Sequence, residues 1–258
     1  MKRLAFISLL CAVLLGAGLA RGESKVEDGL RVSFDARFAP HSLPRDRDAP
    51  VRVDVSGAVR SVDGSRPPQL RRITLAVNRY GRLFTRGLPV CPAGQLETIS
   101  SKVALRRCGP ALVGRGRFGA NVELPDVTTF PVEGRMLAFN GRLGGRPVVY
   151  LHIYGSNPVE ATVVLTFKVR RPARGRFGTV LTTRVPRIAS DLGYVTDVSL
   201  SLSRRYRFAG RQRSFLSARC AAPSGFPGAI FSFARGTFDF AGGKRVSATI
   251  VRDCLVRG

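Results

Sequence analysis

The chain has 258 residues, of which 42 are lysine or arginine, 17 are aspartate or glutamate and two are histidine, so its net charge is +25. Its length is sufficient for one large domain or two smaller domains with hydrophobic cores. The scarcity of histidine and acidic residues argues against a metal centre and against glycosidase chemistry, which needs two carboxylates in one cleft.

The first 22 residues have the order of a secretory signal peptide. Lys2 and Arg3 precede an apolar run at 4–15, and small residues follow at 16–18 and 20. The run is shorter than the roughly 20 apolar residues that a membrane-spanning helix needs. We therefore expect residues 1–22 to be removed during export, and the mature protein to be secreted or extracytoplasmic.

Most of the remaining chain alternates between apolar and polar residues, with glycine and proline between the alternating segments. This pattern is typical of antiparallel strands joined by turns. It predicts strands at 30–38, 51–59, 72–78, 82–85, 111–124, 136–140, 148–154, 161–169, 178–185, 194–208, 213–219, 229–240 and 245–256. We therefore predict an all-β fold, an antiparallel β-sandwich built as a single large domain or as two tandem sandwich domains.

One segment departs from the strand pattern, and one segment could divide the chain. Between Cys91 and Cys108 the apolar residues recur at helical spacing, and 95–107 lacks glycine and proline, so one short helix is predicted there. The prolines at 125–131 mark the best domain boundary. A division there gives an N-terminal β domain at 23–125 and a C-terminal β domain at 126–258, and one continuous domain is the alternative.

Four cysteines remain after the signal peptide, namely Cys91, Cys108, Cys220 and Cys254. An even number of cysteines in an exported chain indicates two disulfides. Of the three possible pairings we favour Cys91 with Cys108 and Cys220 with Cys254, because each pair is local in the sequence. Zinc binding is the alternative, but the chain has no C-x-x-C motif, and we predict no metal and no cofactor.

The glycines at 114, 116 and 119 match the spacing G-x-G-x-x-G of dinucleotide-binding loops. That loop needs a helix that begins at its last glycine, whereas an extended segment ending at Pro125 follows here. We therefore predict a glycine-rich strand.

The best-patterned segment, 134–170, predicts an antiparallel meander of three strands. The middle strand has two apolar or aromatic faces, one formed by Val149, Leu151 and Ile153 and the other by Tyr150, His152 and Tyr154. We expect both faces to be covered. Tyr150, His152 and Tyr154 are the candidate residues for an apolar ligand site, and packing in the core is the alternative explanation of that face.

Other chemistry is weakly represented. The serine-nucleophile motif G-x-S-x-G is absent, so a hydrolase would depend on His41 or His152, and no catalytic residue is predicted. The arginines and aromatic residues at 204–208 could stack on nucleic-acid bases. Because export argues against such a role, we predict no dedicated nucleic-acid partner.

Five short segments of the chain resemble segments of other proteins. They are Cys91-Pro92, CGPALVG at 108–114, LAFNG at 137–141, HIY at 152–154 and SARCAAPSGF at 217–226. Together they resemble exported β-rich proteins of GC-rich actinobacteria, across most of the mature chain. The resemblance implies export and a β-rich fold, and it implies no named enzymatic activity.

These observations lead to one functional expectation with two alternatives. We expect a secreted or cell-envelope, non-enzymatic binding or structural module, whose positive charge would attract an anionic envelope polymer or a membrane surface. The alternative explanation of the charge is a solvent-exposed surface rich in arginine that serves solubility alone. The alternatives are an apolar small-ligand carrier, with its pocket near Tyr150, His152 and Tyr154, and a secreted hydrolase.

Overall fold

The computed structural model describes residues 23–123, 128–157, 160–187 and 192–257, so the predicted signal peptide at 1–22 lies outside the described residues. Strands predominate, and α1 (Ser101–Cys108) is the α-helix of the described part. The strands are β1 (Glu23–Glu27), β2 (Leu30–Ala39), β3 (Ser42–Leu43), β4 (Ala49–Pro50), β5 (Arg52–Ser61), β6 (Leu70–Asn78), β7 (Gly81–Leu83), β8 (Leu112–Val122), β9 (Phe130–Leu143), β10 (Arg146–Asn157), β11 (Ala161–Arg170), β12 (Phe177–Arg184), β13 (Gly193–Leu202), β14 (Arg205–Phe208), β15 (Arg211–Ser214), β16 (Leu216–Ala218), β17 (Gly228–Phe240) and β18 (Arg245–Val256).

Thirteen strands form one curled sheet, in the order β1-β2-β5-β13-β8-β9-β10-β11-β12-β6-β17-β18-β3. Neighbouring strands are antiparallel except for β18 and β3. Strand β18 also packs against β1 and β2, so the sheet curls until its two ends meet and its inner faces oppose each other. The all-β, antiparallel prediction with one short helix is confirmed, and the opposing layers come from one sheet.

Strands from both sides of residue 125 alternate in this sheet. Strand β5 pairs with β13, and β6 lies between β12 and β17. The predicted meander is also present, since Leu151 of β10 pairs with Ala138 of β9 and Leu165 of β11. The hydrophobic core is therefore built from residues far apart in the sequence.

The two ends of the curled sheet are joined at a seam, formed by β18 and the segment that follows β17 on one side and by β2 and the turn before it on the other. Arg252 of β18 donates from Nε to the carbonyl oxygen of Ala36 at 3.0 Å, and its Nη2 forms an ion pair with Asp35 of β2. Lys244 donates from Nζ to the carbonyl oxygen of Asp28 at 2.9 Å. These side-chain contacts hold the two ends of the sheet together, which strand pairing alone does not do.

The helix is shorter than predicted and begins later. Ser100 caps it, because the Ser100 hydroxyl accepts a hydrogen bond from the backbone N–H of Val103. Thr98 has a φ of 50°, a left-handed conformation that interrupts the predicted helix of 95–107. The structured helix therefore occupies only the second half of that segment.

Both favoured disulfides are present. The Cα–Cα distance is 5.3 Å for Cys91–Cys108, which flanks α1, and 5.7 Å for Cys220–Cys254. Because the four described cysteines are joined in pairs, none of these four is free to bind zinc. Two disulfides are typical of proteins that fold in an oxidising, extracytoplasmic environment.

In the described segments, no helix has the length and apolar character needed to cross a membrane.

The glycine-rich segment at 114–119 lies within strand β8, as predicted. A side chain at Gly116 would overlap the backbone carbonyl of Ser199 on the neighbouring strand β13. The glycine therefore permits close approach of two strands.

Candidate functional site

The face of β10 that was predicted as a ligand site is buried beneath α1 and the disulfide that flanks it. Tyr150 is 1% exposed and His152 is 0% exposed, and Tyr150 packs in one cluster with both cysteines of the Cys91–Cys108 disulfide. The hydroxyl of Tyr150 donates to the carbonyl oxygen of Arg142 at 3.1 Å. Tyr154 is half-buried. Tyr150 and His152 are therefore residues of the core, which was the alternative explanation of this face.

The neutral imidazole of His152 forms a hydrogen bond with the segment that precedes α1. Its Nε2 lies 3.0 Å from the carbonyl oxygen of Ile99, and because a carbonyl can only accept, Nε2 carries the hydrogen. In the described structure its Nδ1 is buried and has no hydrogen-bond partner. Burial lowers the pKa of His152 because loss of hydration disfavours the imidazolium, although the hydrogen bond to Ile99 opposes this effect.

We expect the stability of the protein to fall as the pH drops below about 6.5, the unfolded pKa of histidine. Burial makes the pKa of His152 lower in the folded protein than in the unfolded chain. At a pH below about 6.5 the unfolded chain therefore binds more protons than the folded protein, and unfolding is favoured. Urea unfolding at a series of pH values between 7.5 and 5 measures this dependence.

The chain supplies its own control, because it has only two histidines. The variant His152→Gln, which keeps a donor for Ile99, should lose most of the dependence between pH 7.5 and 5.5. The variant His41→Gln should retain it, since the His41 side chain is 49% exposed. Equal pH profiles for the two variants would contradict this role of His152.

The opposite face of β10 lines an apolar cavity inside the curled sheet. Val149 and Leu151 point toward it, and its volume is about 170 Å³. It lies between two clusters of buried side chains, one built around β2, β17 and β18 and the other around β9, β10 and β11. The phenylalanines of its wall are Phe34, Phe38, Phe167, Phe215, Phe231 and Phe233.

The buried amide in the wall of this cavity, that of Asn78, is already satisfied by the protein. Asn78 donates from Nδ2 to the carbonyl oxygen of Ser232 at 2.8 Å, and its Oδ1 accepts from the N–H of Tyr80 at 3.0 Å. The cavity therefore offers mainly apolar surface. Apolar cavities of about 150 Å³ stay dry and accept benzene, so this volume suits one aromatic ring or a short alkyl group.

Sequence patterning identified the inward-facing residues of this cavity but not the space between them. Its wall comes from strands as distant as β2 and β17, and their separation depends on how far the sheet curls. One feature of the sequence did indicate a space in the core. Ala36, Ala138 and Ala234 are small residues at inward positions of strands whose other inward residues are large.

The contacts of the two histidines bear on the hydrolase alternative. The hydroxyl of Thr162, which shares the Ile99 carbonyl with His152, donates to that carbonyl at 3.0 Å. The ring of His41 stacks on Phe38 with centroids 5.4 Å apart, and its Nε2 lies 3.8 Å from a carboxylate oxygen of Asp253. Within the described residues, no hydrogen bond joins either imidazole to a serine, threonine or cysteine side chain. A hydrolytic site at His41 or His152 therefore has no geometric support.

The aromatic residues of the segment 204–208 pack against the protein. Tyr206 donates from its hydroxyl to the carbonyl oxygen of Arg86 at 2.9 Å and joins a core cluster, and Phe208 lies against Gly87. Burial raises the pKa of the Tyr206 hydroxyl. The rings that could have stacked on bases are thus engaged internally.

No family model and no curated protein matches this chain. Among solved structures, AvmM, which catalyzes macrocyclization in alchivemycin A biosynthesis, aligns over 92% of this chain and 97% of its own at 8% identity, with a TM-score of 0.25. A TM-score this low carries no argument about fold or function.

Proposed function

We propose that this is an exported, non-enzymatic protein that binds a small apolar group inside its curled sheet. The observation that carries the proposal is the apolar cavity of about 170 Å³ between two clusters of buried side chains. The order of residues 1–22, the resemblance to exported actinobacterial proteins and the two disulfides support export.

Two properties of the cavity favour ligand binding. Its wall is apolar, so a bound apolar group would gain roughly 25 cal/mol for each Å² removed from water. The wall is also held in shape, because the seam at Arg252 and the Cys220–Cys254 disulfide join elements on opposite sides of the core. A site that is formed before binding loses less conformational entropy when the ligand enters.

Attachment to an anionic envelope polymer or a membrane surface is the second candidate function. Its support is the excess of 42 basic residues over 17 acidic residues. Attraction of this kind reaches beyond contact distance at low ionic strength and is screened by salt. It is compatible with the cavity proposal, since the two functions would use different surfaces.

We expect toluene to bind wild-type protein and to raise its Tm, and the variant Ala138→Leu to bind toluene at least about tenfold more weakly. Ala138 is 0% exposed and lines the cavity, so a leucine there occupies the space of the ligand. Calorimetric titration measures both affinities.

The matched control is Ala161→Leu, the same change at an exposed position of β11. It should leave toluene binding unchanged. Urea unfolding of each variant shows whether it is folded, and filling a cavity is expected to cost little stability. Absence of toluene binding to the wild-type protein, or equal binding to folded Ala138→Leu, would overturn the proposal.

A further inference from the structure

A cleft rich in arginine adjoins the apolar cavity. Its volume is about 800 Å³, and the charged residues in its wall are Arg79, Arg82, Arg171, Arg213, Arg219 and Asp48. Tyr80, Arg82 and Arg219 are among the residues that line both the cleft and the cavity. An apolar space and a cationic space therefore share a wall.

Most of the positive charge in this cleft is not neutralised. Arg82 forms an ion pair with Asp48 at 3.2 Å, whereas the other four arginines have no carboxylate within ion-pair distance in the described structure. Neutral groups hold them instead. Arg79 and Arg171 donate to the carbonyl oxygens of Ala173 and Leu83, and Arg213 and Arg219 lie over the rings of Phe84 and Tyr80.

We propose that cavity and cleft form one site for an amphipathic anion, with the apolar group in the cavity and a carboxylate, phosphate or sulfate in the cleft. The inference rests on the proposed function and adds the chemical class of the ligand. The cavity alone is smaller than the roughly 300–1,000 Å³ of sites for drug-sized ligands, and the cleft lies within that range. Arginine forms paired hydrogen bonds with carboxylate and phosphate oxygens, which suits such a head group.

A second basic cavity shows what distinguishes this cleft. The charged residues of that cavity are Arg71, Arg72, Arg184, Lys244, Arg245 and Asp239, around a space of about 450 Å³, so its balance of five cations and one carboxylate equals that of the cleft. There the aspartate bridges two cations, since Arg245 lies 2.5 Å and Arg72 lies 3.9 Å from its oxygens. None of these residues lines the apolar cavity, so the second cluster provides control positions of equal charge.

The test compares 4-phenylbutanoate with 4-phenylbutanol, which share an apolar group and differ in charge. We expect wild-type protein to bind the carboxylate about tenfold more tightly at low ionic strength, and this preference to shrink as salt is added. The variant Arg79→Gln/Arg171→Gln should reduce the preference to less than about twofold. The control Arg72→Gln/Arg184→Gln, which removes the same charge, should retain it.

The outcomes separate this inference from the function on which it rests. If the alcohol binds and the carboxylate binds no more tightly, only the inference fails. If the alcohol does not bind, the cavity proposal fails and the amphipathic site fails with it. The inference is also overturned if both double variants reduce the preference equally, or if polyphosphate, which lacks an apolar group, binds as tightly as 4-phenylbutanoate.

Discussion

Substitution of Arg252 by methionine is expected to lower the free energy of unfolding by about 3 kcal/mol. The Arg252 side chain is 10% exposed and its partner Asp35 is 19% exposed, so the pair is largely removed from water. Methionine keeps the apolar stem but leaves Oδ1 of Asp35 and the carbonyl of Ala36 without the donor that Arg252 supplies. Urea unfolding followed by circular dichroism measures the loss.

The same carboxylate supplies the control. Arg37 also contacts Asp35, at 3.0 Å, but its side chain is 61% exposed. Because exposed ion pairs contribute about 0–1 kcal/mol, Arg37→Met should change the free energy of unfolding by less than about 1 kcal/mol. Equal losses in Arg37→Met and Arg252→Met would show that closure of the curled sheet does not depend on the seam.

Local patterning accounts for much of the fold. Strand β18 has the bounds 245–256 that alternation predicts, and β10 is covered on both faces, as its two apolar faces require. Alternation succeeds because adjacent side chains of a strand point to opposite faces, so the apolar positions reveal which face is buried. The alternation gives no information about which strands pair with each other.

The errors arise where a distant contact overrides the local pattern. The single alternating run predicted at 194–208 is divided into β13 and β14. At the division Ser203 donates its N–H to the carbonyl oxygen of Val113, and the carbonyl of Arg204 accepts from Phe215. These contacts turn the chain out of the large sheet and into pairing with β15, and no local signal specifies them.

The candidate site shows the same limit. The sequence concentrated aromatic and titratable groups at Tyr150 and His152, but α1 and its disulfide cover them. The face of Val149 and Leu151 looked like ordinary core, yet it lines the apolar cavity. Which apolar face encloses space depends on the curl of the whole sheet, and this is a property of long-range pairing rather than of side-chain periodicity.

Removal of the second disulfide by Cys220→Ala/Cys254→Ala is expected to lower the free energy of unfolding by about 4 kcal/mol. The two cysteines are 34 residues apart, and closing a loop of that length removes a large part of the unfolded chain's freedom. Both pack in the core cluster that contains Phe233 and Ile250, so the loss should be global. Since domains are typically stable by 5–15 kcal/mol, this is a large fraction of the total.

The matched variant is Cys91→Ala/Cys108→Ala, whose cysteines are 17 residues apart. The chain-entropy relation gives about 3 kcal/mol for this disulfide, a loss that acts through the unfolded chain. A further, local loss is expected in α1, because the disulfide flanks the cover over Tyr150 and His152. Hydrogen exchange should show lost protection at Ala104 of α1, while toluene binding persists because the cavity lies on the other face of β10. A loss of protection at Ala104 no greater than that in the core strands, or a loss of less than about 1 kcal/mol on removing Cys220–Cys254, would contradict this division of roles, since it assigns the core to one disulfide and the cover to the other.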